Sequence, residues 1–401
     1  MPGTTTPVSL DGDVIQDPYT FYRQLREEAP VREARLPRGL KVWVVTRYAD
    51  AREALANPAL HKDMRQAHDL IARNSTSGGG GGFGPELAAH MLNSDPPDHT
   101  RLRKLVAAAF TMRRVEQLRP RVEEITEDLL AKLSDQADLV ADFAFPLPVT
   151  VICELLGIPH ADRDDFSGWT RTLLSAADTT TIADAGRAMA VYLQELIAAK
   201  RANPADDMLS ALTNTRDEDG DSLTETELVS MAFLLLVAGH ETTVNLIGNG
   251  TLALLRHPDQ LAALCADPGL LPGAVEEFLR YDGPLSHATM RYTVEPVEVG
   301  GVTIPAEEFV LVALGSANRD EDRFADGEEL DITRGASGHL AFGHGIHFCL
   351  GAPLARLEGQ IAIGRLLDRF PNLTLAADLD DLRWRNSSLM RGLESLPVRL
   401  R

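Results

Sequence analysis

The chain has 401 residues and a formal net charge of −20, from 39 Lys and Arg against 59 Asp and Glu. This acid surplus excludes a nucleic-acid-binding protein and disfavours an anionic membrane surface as a partner, because both require a basic face. Hydrophobic residues make up 44% of the chain, which is enough for a large core and excludes a wholly disordered protein.

The N-terminal sequence and the number of cysteines indicate in which cellular compartment the protein is expected. Residues 1–16 have neither the basic nor the apolar region of a signal peptide. We find no apolar run of the roughly eighteen residues that a membrane span needs, since the longest candidate is broken at His240 and Glu241. Three cysteines are too few for a disulfide framework in a chain of this length. We therefore expect a cytoplasmic enzyme without a membrane anchor.

The first ninety residues are predicted to mix strands with short helices. Residues 41–46 are β-branched and aromatic, as in a strand, and residues 50–57 have a helical pattern that stops before Pro58. Residues 78–82 are five consecutive glycines, which lose much conformational entropy when they are ordered. This run is either a tolerated surface insert or a mobile lid over a pocket.

The remainder is predicted to be largely helical, with amphipathic helices between residues 96 and 200. Thr224 and Glu227 have the spacing of a capping box, so a long helix should run from there to Arg256. Further helices are expected over 260–281 and 352–369, short strands over 294–304 and 309–314, a glycine-rich loop over 337–348, and short strands and turns over 373–400. With no linker and no repeat, the sequence predicts one domain, residues 1–401, that is mainly α with a minor β region.

Residues 342–351, Phe-Gly-His-Gly-Ile-His-Phe-Cys-Leu-Gly, carry the most chemistry. Cys349 ends the glycine-rich loop and precedes a helix, where free amides and the helix dipole favour a thiolate. Gly343, Gly345 and Gly351 let the backbone approach something flat or bulky. A thiolate with such an approach suits an axial haem ligand.

Two other interpretations of Cys349 are open from the residues alone. It could be a small buried apolar residue, as free cysteines often are. It could also be a zinc ligand together with His344 and His347, although a fourth ligand is hard to name and the spacing is tight.

The pattern Phe-x-x-Gly-x-His-x-Cys-x-Gly resembles the haem-binding loop of the cytochrome P-450 family, the haem-thiolate monooxygenases. This resemblance implies the P-450 fold, with a long central helix over the haem, and haem b (iron protoporphyrin IX) as cofactor. It implies that Cys349 is the iron ligand, that Phe342 shields its sulfur, and that Gly351 belongs to the haem loop.

Residues 237–243 lie in the middle of the predicted long helix and place an acid and an alcohol in an apolar stretch, where burial of a charge is costly. They are either a satisfied buried polar patch or an acid–alcohol pair that relays protons. By resemblance, Glu241 and Thr242 form this relay to bound dioxygen, and Ala238 and Gly239 leave room for oxygen. The family more often has Asp where this chain has Glu241.

Three further constellations follow from the resemblance. His99 and Arg103 share one helix face and, with Arg291 and His347, are expected to bind the haem propionates. Glu277 and Arg280 match a structural helix pair that supports the cysteine loop. Apolar side chains in segments that border the family's pocket are substrate-pocket candidates, although they could equally be core: Leu92, Leu235, Ser286, Ala288, Met290, Leu389 and Met390.

The resemblance is greatest to soluble bacterial members that hydroxylate macrolides and related polyketides. It implies a monomeric enzyme that inserts one atom of O2 into a C–H or C=C bond of a bulky apolar molecule. Because the chain has no flavin or nicotinamide motif, electrons should come from a ferredoxin and its reductase, docked on a local basic patch. Candidates for that patch are Arg101, Lys104, Arg113, Arg114 and Arg356. Steroid- or terpenoid-like substrates, peroxide-driven chemistry and a non-oxygenating haem-binding protein are the alternatives.

Overall fold

The long helix predicted after Thr224 is the central element of the fold. It runs over Glu225–Arg256 and is called here the central helix. Its N-terminus has the predicted capping box: Thr224 Oγ1 accepts from the Glu227 amide at 3.3 Å, and the Glu227 carboxylate accepts from the Thr224 amide at 2.8 Å. Most of its residues are buried, because helices pack against it on several sides. An apolar helix of this length is stable only when it is surrounded in this way.

The computed structural model describes residues 8–401 except residues 11, 38, 75–86 and 174–178. The glycine run 78–82 therefore lies outside the described residues. Besides the central helix, the α-helices are Gly12–Gln16, Pro18–Glu28, Tyr48–Ala56, His68–Asn74, Asp98–Ala109, Met112–Leu130, Pro146–Leu156, Arg163–Leu173, Thr179–Ala202, Met208–Asn214, Pro258–Ala266, Leu271–Asp282, Leu314–Ala317 and Ala352–Arg369.

The β structure is minor, as the sequence predicted, and within the described residues it forms three sheets. The six-stranded sheet has the order Val8–Ser9, Val31–Arg35, Lys41–Val45, Phe309–Val312, Arg291–Thr293, Leu60–His61. The three-stranded sheet has the order Thr374–Leu375, Pro397–Arg399, Gln136–Asp138, and the third sheet pairs Val297–Val299 with Val302–Ile304. The larger sheet matters for function, because its strand Arg291–Thr293 begins at a predicted site residue.

The helices expected over 260–281 are confirmed as Pro258–Ala266 and Leu271–Asp282. A 3₁₀ turn at Pro268–Leu270 separates them, because proline removes a backbone donor and tends to start a new helix. The strand expected over 294–304 is a hairpin, whose turn has Gly300 and Gly301 at φ of 56° and 77°. Only glycine adopts this region without strain.

The central helix also corrects the expectation about membrane spans. By length and composition it could cross a membrane, with a mean hydropathy of 1.3 over its most apolar window. The polar residues His240 and Glu241 lower this value less than we expected. In the fold, 72% of that window is buried against other elements. Its apolar surface is thus used for packing.

The central helix belongs to the largest hydrophobic cluster, to which the helices Pro146–Leu156, Leu271–Asp282 and Ala352–Arg369 also contribute. Two smaller clusters lie on either side of the six-stranded sheet. Cys153 is fully buried in the large cluster, and its burial raises the pKa of its thiol to about 12, whereas Cys265 is exposed. The cavity described below lies where the central helix faces the loop that ends at Cys349.

Candidate active site

A cavity lies between the central helix and the cysteine loop. From the central helix it is lined by Ala238, Gly239 and Thr242, and from the loop by Phe342 through Gly351, except Gly345 and Ile346. The helix Ala352–Arg369 starts immediately after the loop, as predicted. The fold therefore brings together two segments that are about a hundred residues apart in the sequence.

Local backbone geometry explains the glycines of the loop. Gly343 and Gly345 have φ of 73° and 74°, which non-glycine residues rarely adopt. A Cβ at Gly345 would also come within 3.0 Å of Ala56 Cα, so glycine is needed there for close packing. The Cys349 amide donates to Phe342 O at 2.9 Å, which closes the loop and presents the cysteine side chain to the cavity.

The Cys349 thiol is subject to opposing influences. Desolvation raises its pKa and is the largest effect; the amides of Gly351 and Ala352 and the guanidinium groups of Arg103 and Arg356 lower it. The amides favour a thiolate as predicted, but desolvation of the thiol in the cavity outweighs them. A bound cation at the sulfur would reverse this balance, because metal coordination deprotonates a thiol.

The predicted propionate residues are brought together at one edge of the cavity. His99, Arg103, Arg291 and His347 all line it, and the rings of His99 and His347 have centroids 4.2 Å apart. Arg103 donates to Phe348 O at 2.6 Å, which joins the helix Asp98–Ala109 to the cysteine loop. Among the described residues, neither ring nitrogen of His99 has a hydrogen-bond partner, although His99 is only 2% exposed.

These groups are held in an electrostatically unfavourable arrangement. Burial, followed by the repulsion of Lys62, His99, Arg291 and Arg103, lowers the pKa of His347 to about 2. Burial also lowers the pKa of Arg291 to about 10. Buried cations and unpaired donors normally have an anionic partner.

Lys62 is a fifth member of this group that the sequence analysis missed. It is 3% exposed, lines the cavity, and donates to the Thr289 hydroxyl. Burial and the nearby Arg291 guanidinium lower its pKa well below the usual range, against the attraction of Asp95. Lys62 follows a strand of only two residues, Leu60–His61. Nothing in the sequence at this point distinguishes Lys62 from a surface lysine.

The residues present fit a haem. The cavity offers a thiol at one side, and at its edge a cluster of cations and unpaired histidine nitrogens suited to carboxylate groups. The zinc alternative does not fit, because no group of three or more His, Cys, Asp or Glu in the described part of the chain could hold a metal ion.

The polar segment of the central helix divides between the cavity and the core. Thr242 lines the cavity and donates to Ala238 O at 2.8 Å. Glu241 is only 2% exposed, is not among the described lining residues, and accepts from Arg385 Nη1 at 2.7 Å. Ala238 is exposed to the cavity, but a Cβ on Gly239 would meet Ile152 at 3.0 Å. Gly239 therefore also allows close packing of a neighbouring helix.

The substrate-pocket candidates are only partly brought together. Leu92, Leu235 and Ala288 line the cavity. The others are outside its lining in the described structure: Ser286, Met290, Leu389 and Met390. Two of these pair with each other, since the Ser286 amide donates to Leu389 O at 2.9 Å.

Glu277 and Arg280 form a buried pair. Arg280 Nε donates to Glu277 Oε2 at 2.7 Å, and both residues are 0% exposed. Arg280 also donates to the carbonyl oxygens of Asn318 and Gly327, and the Asn318 side chain accepts from the Leu340 amide just before the cysteine loop. The pair thus contacts the segment that supports the loop and not the loop itself.

The candidate docking patch is weaker than expected. Arg101 pairs with Asp221 and Glu227, Lys104 lies 3.8 Å from Glu218, and Arg356 forms two hydrogen bonds with Glu276. The other two candidates, Arg113 and Arg114, have no ion pair with a described carboxylate. They follow the exposed Met112 in the helix Met112–Leu130, which packs on the helix after Cys349.

A mainly helical fold with a cysteine at the end of a glycine-rich loop, facing a long central helix, defines a haem-thiolate protein. The model of the cytochrome P450 family matches residues 164–267 and 269–386. The chain belongs to this family; it is a haem-containing monooxygenase that takes electrons from redox partners.

Three similar proteins place the chain within the family. It is 51% identical to the vitamin D(3) 25-hydroxylase of Pseudonocardia autotrophica, over 99% of this chain and 97% of that one. It is 46% identical to the 6-deoxyerythronolide B hydroxylase of Saccharopolyspora erythraea, over 99% of each. The solved structure of the tirandamycin C-bound P450 monooxygenase TamI superposes with a TM-score of 0.89 at 51% identity, and covers 98% of this chain and 100% of that one.

Proposed function

We propose that this monooxygenase binds haem b with Cys349 as the iron ligand, and oxidises a macrolide or other polyketide-type molecule at a C–H or C=C bond. The observation that carries the assignment of the site is the Cys349 thiol in a cavity edged by cations without described carboxylate partners of their own. His99, Arg103, Arg291 and His347 would hold the propionates, with Lys62 beside them. When bound, the haem supplies dioxygen activation.

The chain's own residues have separate tasks in this proposal. Phe342, which lines the cavity with Cys349, would shield the sulfur and, with Arg356 stacked 4.6 Å from its ring centroid, limit water on that side. Thr242 holds a proton at Oγ1, which now donates to Ala238 O and can rotate toward the cavity. Glu241 is the acid that resupplies this proton. The helix pair Glu277 and Arg280 keeps the loop in place from behind.

The haem assignment is tested by the visible spectrum of the reduced carbon monoxide complex. Cys349→Ser should remove the long-wavelength band of thiolate ligation, because a hydroxyl does not donate electron density as a thiolate does. Cys265→Ser, a change at an exposed cysteine that does not line the cavity, is the matched control and should leave the spectrum unchanged. An unchanged spectrum for Cys349→Ser would refute the assignment.

The substrate proposal is supported by the apolar wall of the cavity, Leu92, Leu235 and Ala288, and by the hydroxylase of 6-deoxyerythronolide B among the relatives. The relative that acts on vitamin D(3), at higher identity, favours a steroid-like molecule as a second candidate. Binding-induced spin shifts with 6-deoxyerythronolide B, mycinamicin IV, tirandamycin C and vitamin D(3) should separate the two. Tightest binding by vitamin D(3) would overturn the polyketide proposal.

We further infer a ferredoxin as the electron donor, and a monomeric enzyme in the cytoplasm. Arg113 and Arg114 would meet an acidic partner, while the exposed side chains of Met112 and Ile346 would supply apolar contact. On a chain with a net charge of −20, such a local basic spot determines how an acidic protein can approach.

A further inference from the structure

Residues 383–394 form a hairpin near the C-terminus, called here the C-terminal hairpin. The Glu394 amide donates to Arg383 O at 2.9 Å, and the Arg385 amide donates to Gly392 O at 2.9 Å. Between these two bonds, Trp384 and Leu393 form an antiparallel bridge. The base of the hairpin is therefore held as a short two-stranded ladder.

One strand of this hairpin pairs with a segment that forms part of the cavity wall. The Arg391 amide donates to Pro284 O at 2.8 Å, and Met390 forms an antiparallel bridge with Leu285. Pro284 and Leu285 line the cavity, followed in the chain by Ala288. A shift of the hairpin would therefore move this part of the wall.

The same hairpin contacts a polar stripe of the central helix. Arg385 Nη1 donates to Glu241 Oε2 at 2.7 Å, and Asn249 Nδ2 donates to Arg391 O at 2.9 Å. Between them, Gly392 fits tightly against Asn245, since a Cβ at Gly392 would come within 2.0 Å of Asn245 Oδ1. Positions 241, 245 and 249 share one helix face, so this face is fixed to the hairpin along two turns.

Arg385 is the charge that compensates Glu241. The other nearby base, His240, has its Nε2 atom 3.9 Å from Glu241 Oε1. Its Nδ1 lies 2.7 Å from Leu236 O and must donate to that carbonyl, and burial lowers the pKa of the ring, so His240 is neutral with an unprotonated Nε2. The Arg385 side chain is 30% exposed, and so it joins the buried carboxylate to solvent.

We propose that Arg385 is a positioning residue for proton delivery. From the C-terminal hairpin, which also supports the cavity wall, it holds the Glu241 carboxylate away from the cavity. The proposal rests on the role proposed above for Glu241. Removal of Arg385 would free the carboxylate to turn, and would leave a buried charge without its partner, which is costly. Proton delivery to Thr242 would then be altered while the wall contacts of the substrate remain.

The test uses Arg385→Gln, Arg385→Lys and Glu241→Gln in the holoenzyme, with a surrogate ferredoxin and its reductase. The matched control is Arg383→Gln, because Arg383 lies in the same hairpin but donates to the carbonyl oxygens of Asp380 and Leu382. NADPH oxidation is measured in H2O and D2O, with and without 6-deoxyerythronolide B. Crystal structures of the wild type and Arg385→Gln give the position of the Glu241 carboxylate.

Arg385→Gln should slow NADPH oxidation about tenfold and raise the solvent isotope effect, since a misplaced proton donor is a less effective catalyst. Arg385→Lys should recover most of the rate, because the ammonium group keeps the charge, and Arg383→Gln should match the wild type. The Glu241 carboxylate should leave its wild-type position in the Arg385→Gln crystal structure. A slower rate with an unchanged isotope effect and an unmoved carboxylate would overturn the proposal in favour of a merely structural arginine.

Different outcomes would refute the role of Glu241 and the role of Arg385. If Glu241→Gln leaves the rate and the isotope effect unchanged, the relay role proposed for Glu241 is wrong, and Arg385 loses its function with it. If Glu241→Gln changes both while Arg385→Gln changes neither, the relay stands and only the inference about Arg385 is refuted.

Discussion

The imidazole rings of His99 and His347 lie in contact at the cavity edge, with centroids 4.2 Å apart and planes tilted by 56°, although they come from a helix and a loop far apart in the sequence. After desolvation, the charges that lower the pKa of His347 most are those of Lys62, His99 and Arg291. The buried Lys62 ammonium and Arg291 guanidinium also lie near enough to repel each other. The cluster therefore costs folding energy until an anion binds to it.

This arrangement predicts opposite effects for Lys62→Met in the two forms of the protein. The apoprotein should become more stable, because one buried cation is removed, whereas the holoprotein should lose haem about tenfold faster, because a charge-assisted contact is lost. Urea unfolding of the apoprotein and haem transfer to a scavenger protein measure the two effects. Lys104→Met, at an exposed lysine 3.8 Å from Glu218, should change neither. A holoprotein that retains haem normally would contradict the role of Lys62.

The proposed proton relay predicts uncoupled turnover in Thr242→Ala. NADPH oxidation should continue, while product formed per NADPH falls about tenfold, because the hydroxyl that passes the proton is gone. Thr251→Ala is the control, since Thr251 donates to the carbonyl four residues earlier at 2.8 Å, as Thr242 does, but is buried outside the cavity lining. Equal coupling in the two variants would refute the role of Thr242.

The docking proposal predicts that charge reversal at Arg113 and Arg114 slows electron transfer from ferredoxin. The expected loss is about tenfold at low ionic strength and smaller at high salt, because exposed charges are screened. Stopped-flow reduction of the haem measures it, and spectral titration should show unchanged substrate affinity. Reversal at Arg187, an exposed arginine paired with Asp184, changes the net charge without touching this patch. Equal slowing by that variant would mean that net charge alone is responsible.

The buried His287 predicts a pH dependence of stability. It lies between Tyr22 and the Ser388 carbonyl, at 2.7 and 2.6 Å, and its burial lowers the ring pKa from 6.5 to about 4. Because the pKa of His287 is lower in the folded state than in the unfolded state, the unfolded chain takes up the proton at a higher pH than the folded protein does. Stability is thus full above pH 6.5 and is lost as the pH falls toward 4, by up to about 3 kcal/mol from this residue.

The comparison is between wild type and His287→Gln, whose amide can still donate to Ser388 O and accept from Tyr22. Urea unfolding at pH 7 and pH 5 should show a smaller loss of unfolding free energy in the variant, because no proton is taken up at this position. An equal loss in both proteins would assign the acid sensitivity to other groups, such as His90, whose burial lowers its pKa to about 4.

The sequence predicted the parts of the site that depend on local geometry. The loop before Cys349 is contiguous, and His99 and Arg103 are one helical turn apart, so their shared direction follows from spacing. The central helix was predictable because its cap and its apolar run are local signals. Its hydropathy was nevertheless underestimated, because the polar residues His240 and Glu241 do not stop this 32-residue helix from reaching a mean hydropathy of 1.3 over its most apolar window.

The roles of Lys62 and Arg385 could not be predicted, because each role depends on contacts with residues that are distant in the sequence. Lys62 becomes buried by contacts with Thr289 and the cavity edge, whereas Arg385 stays partly exposed and gains its role from its pairing with Glu241. An isolated lysine or arginine in an irregular segment is ordinarily a solvated surface residue. The position of Glu241 behind the cavity lining was missed for the same reason: the helix face that it occupies is set by tertiary packing.

The C-terminal hairpin has a consequence for how this enzyme can change its substrate range. Ser388, Leu389 and Met390 lie at its tip and pair with the segment that continues into the cavity wall, while its base carries Arg385 on Glu241. Mutations selected at the tip for a new substrate should therefore be epistatic with those near Glu241. Laboratory evolution of selectivity at this loop would then tend to waste reducing equivalents, unless compensating changes arise at positions 241 or 385.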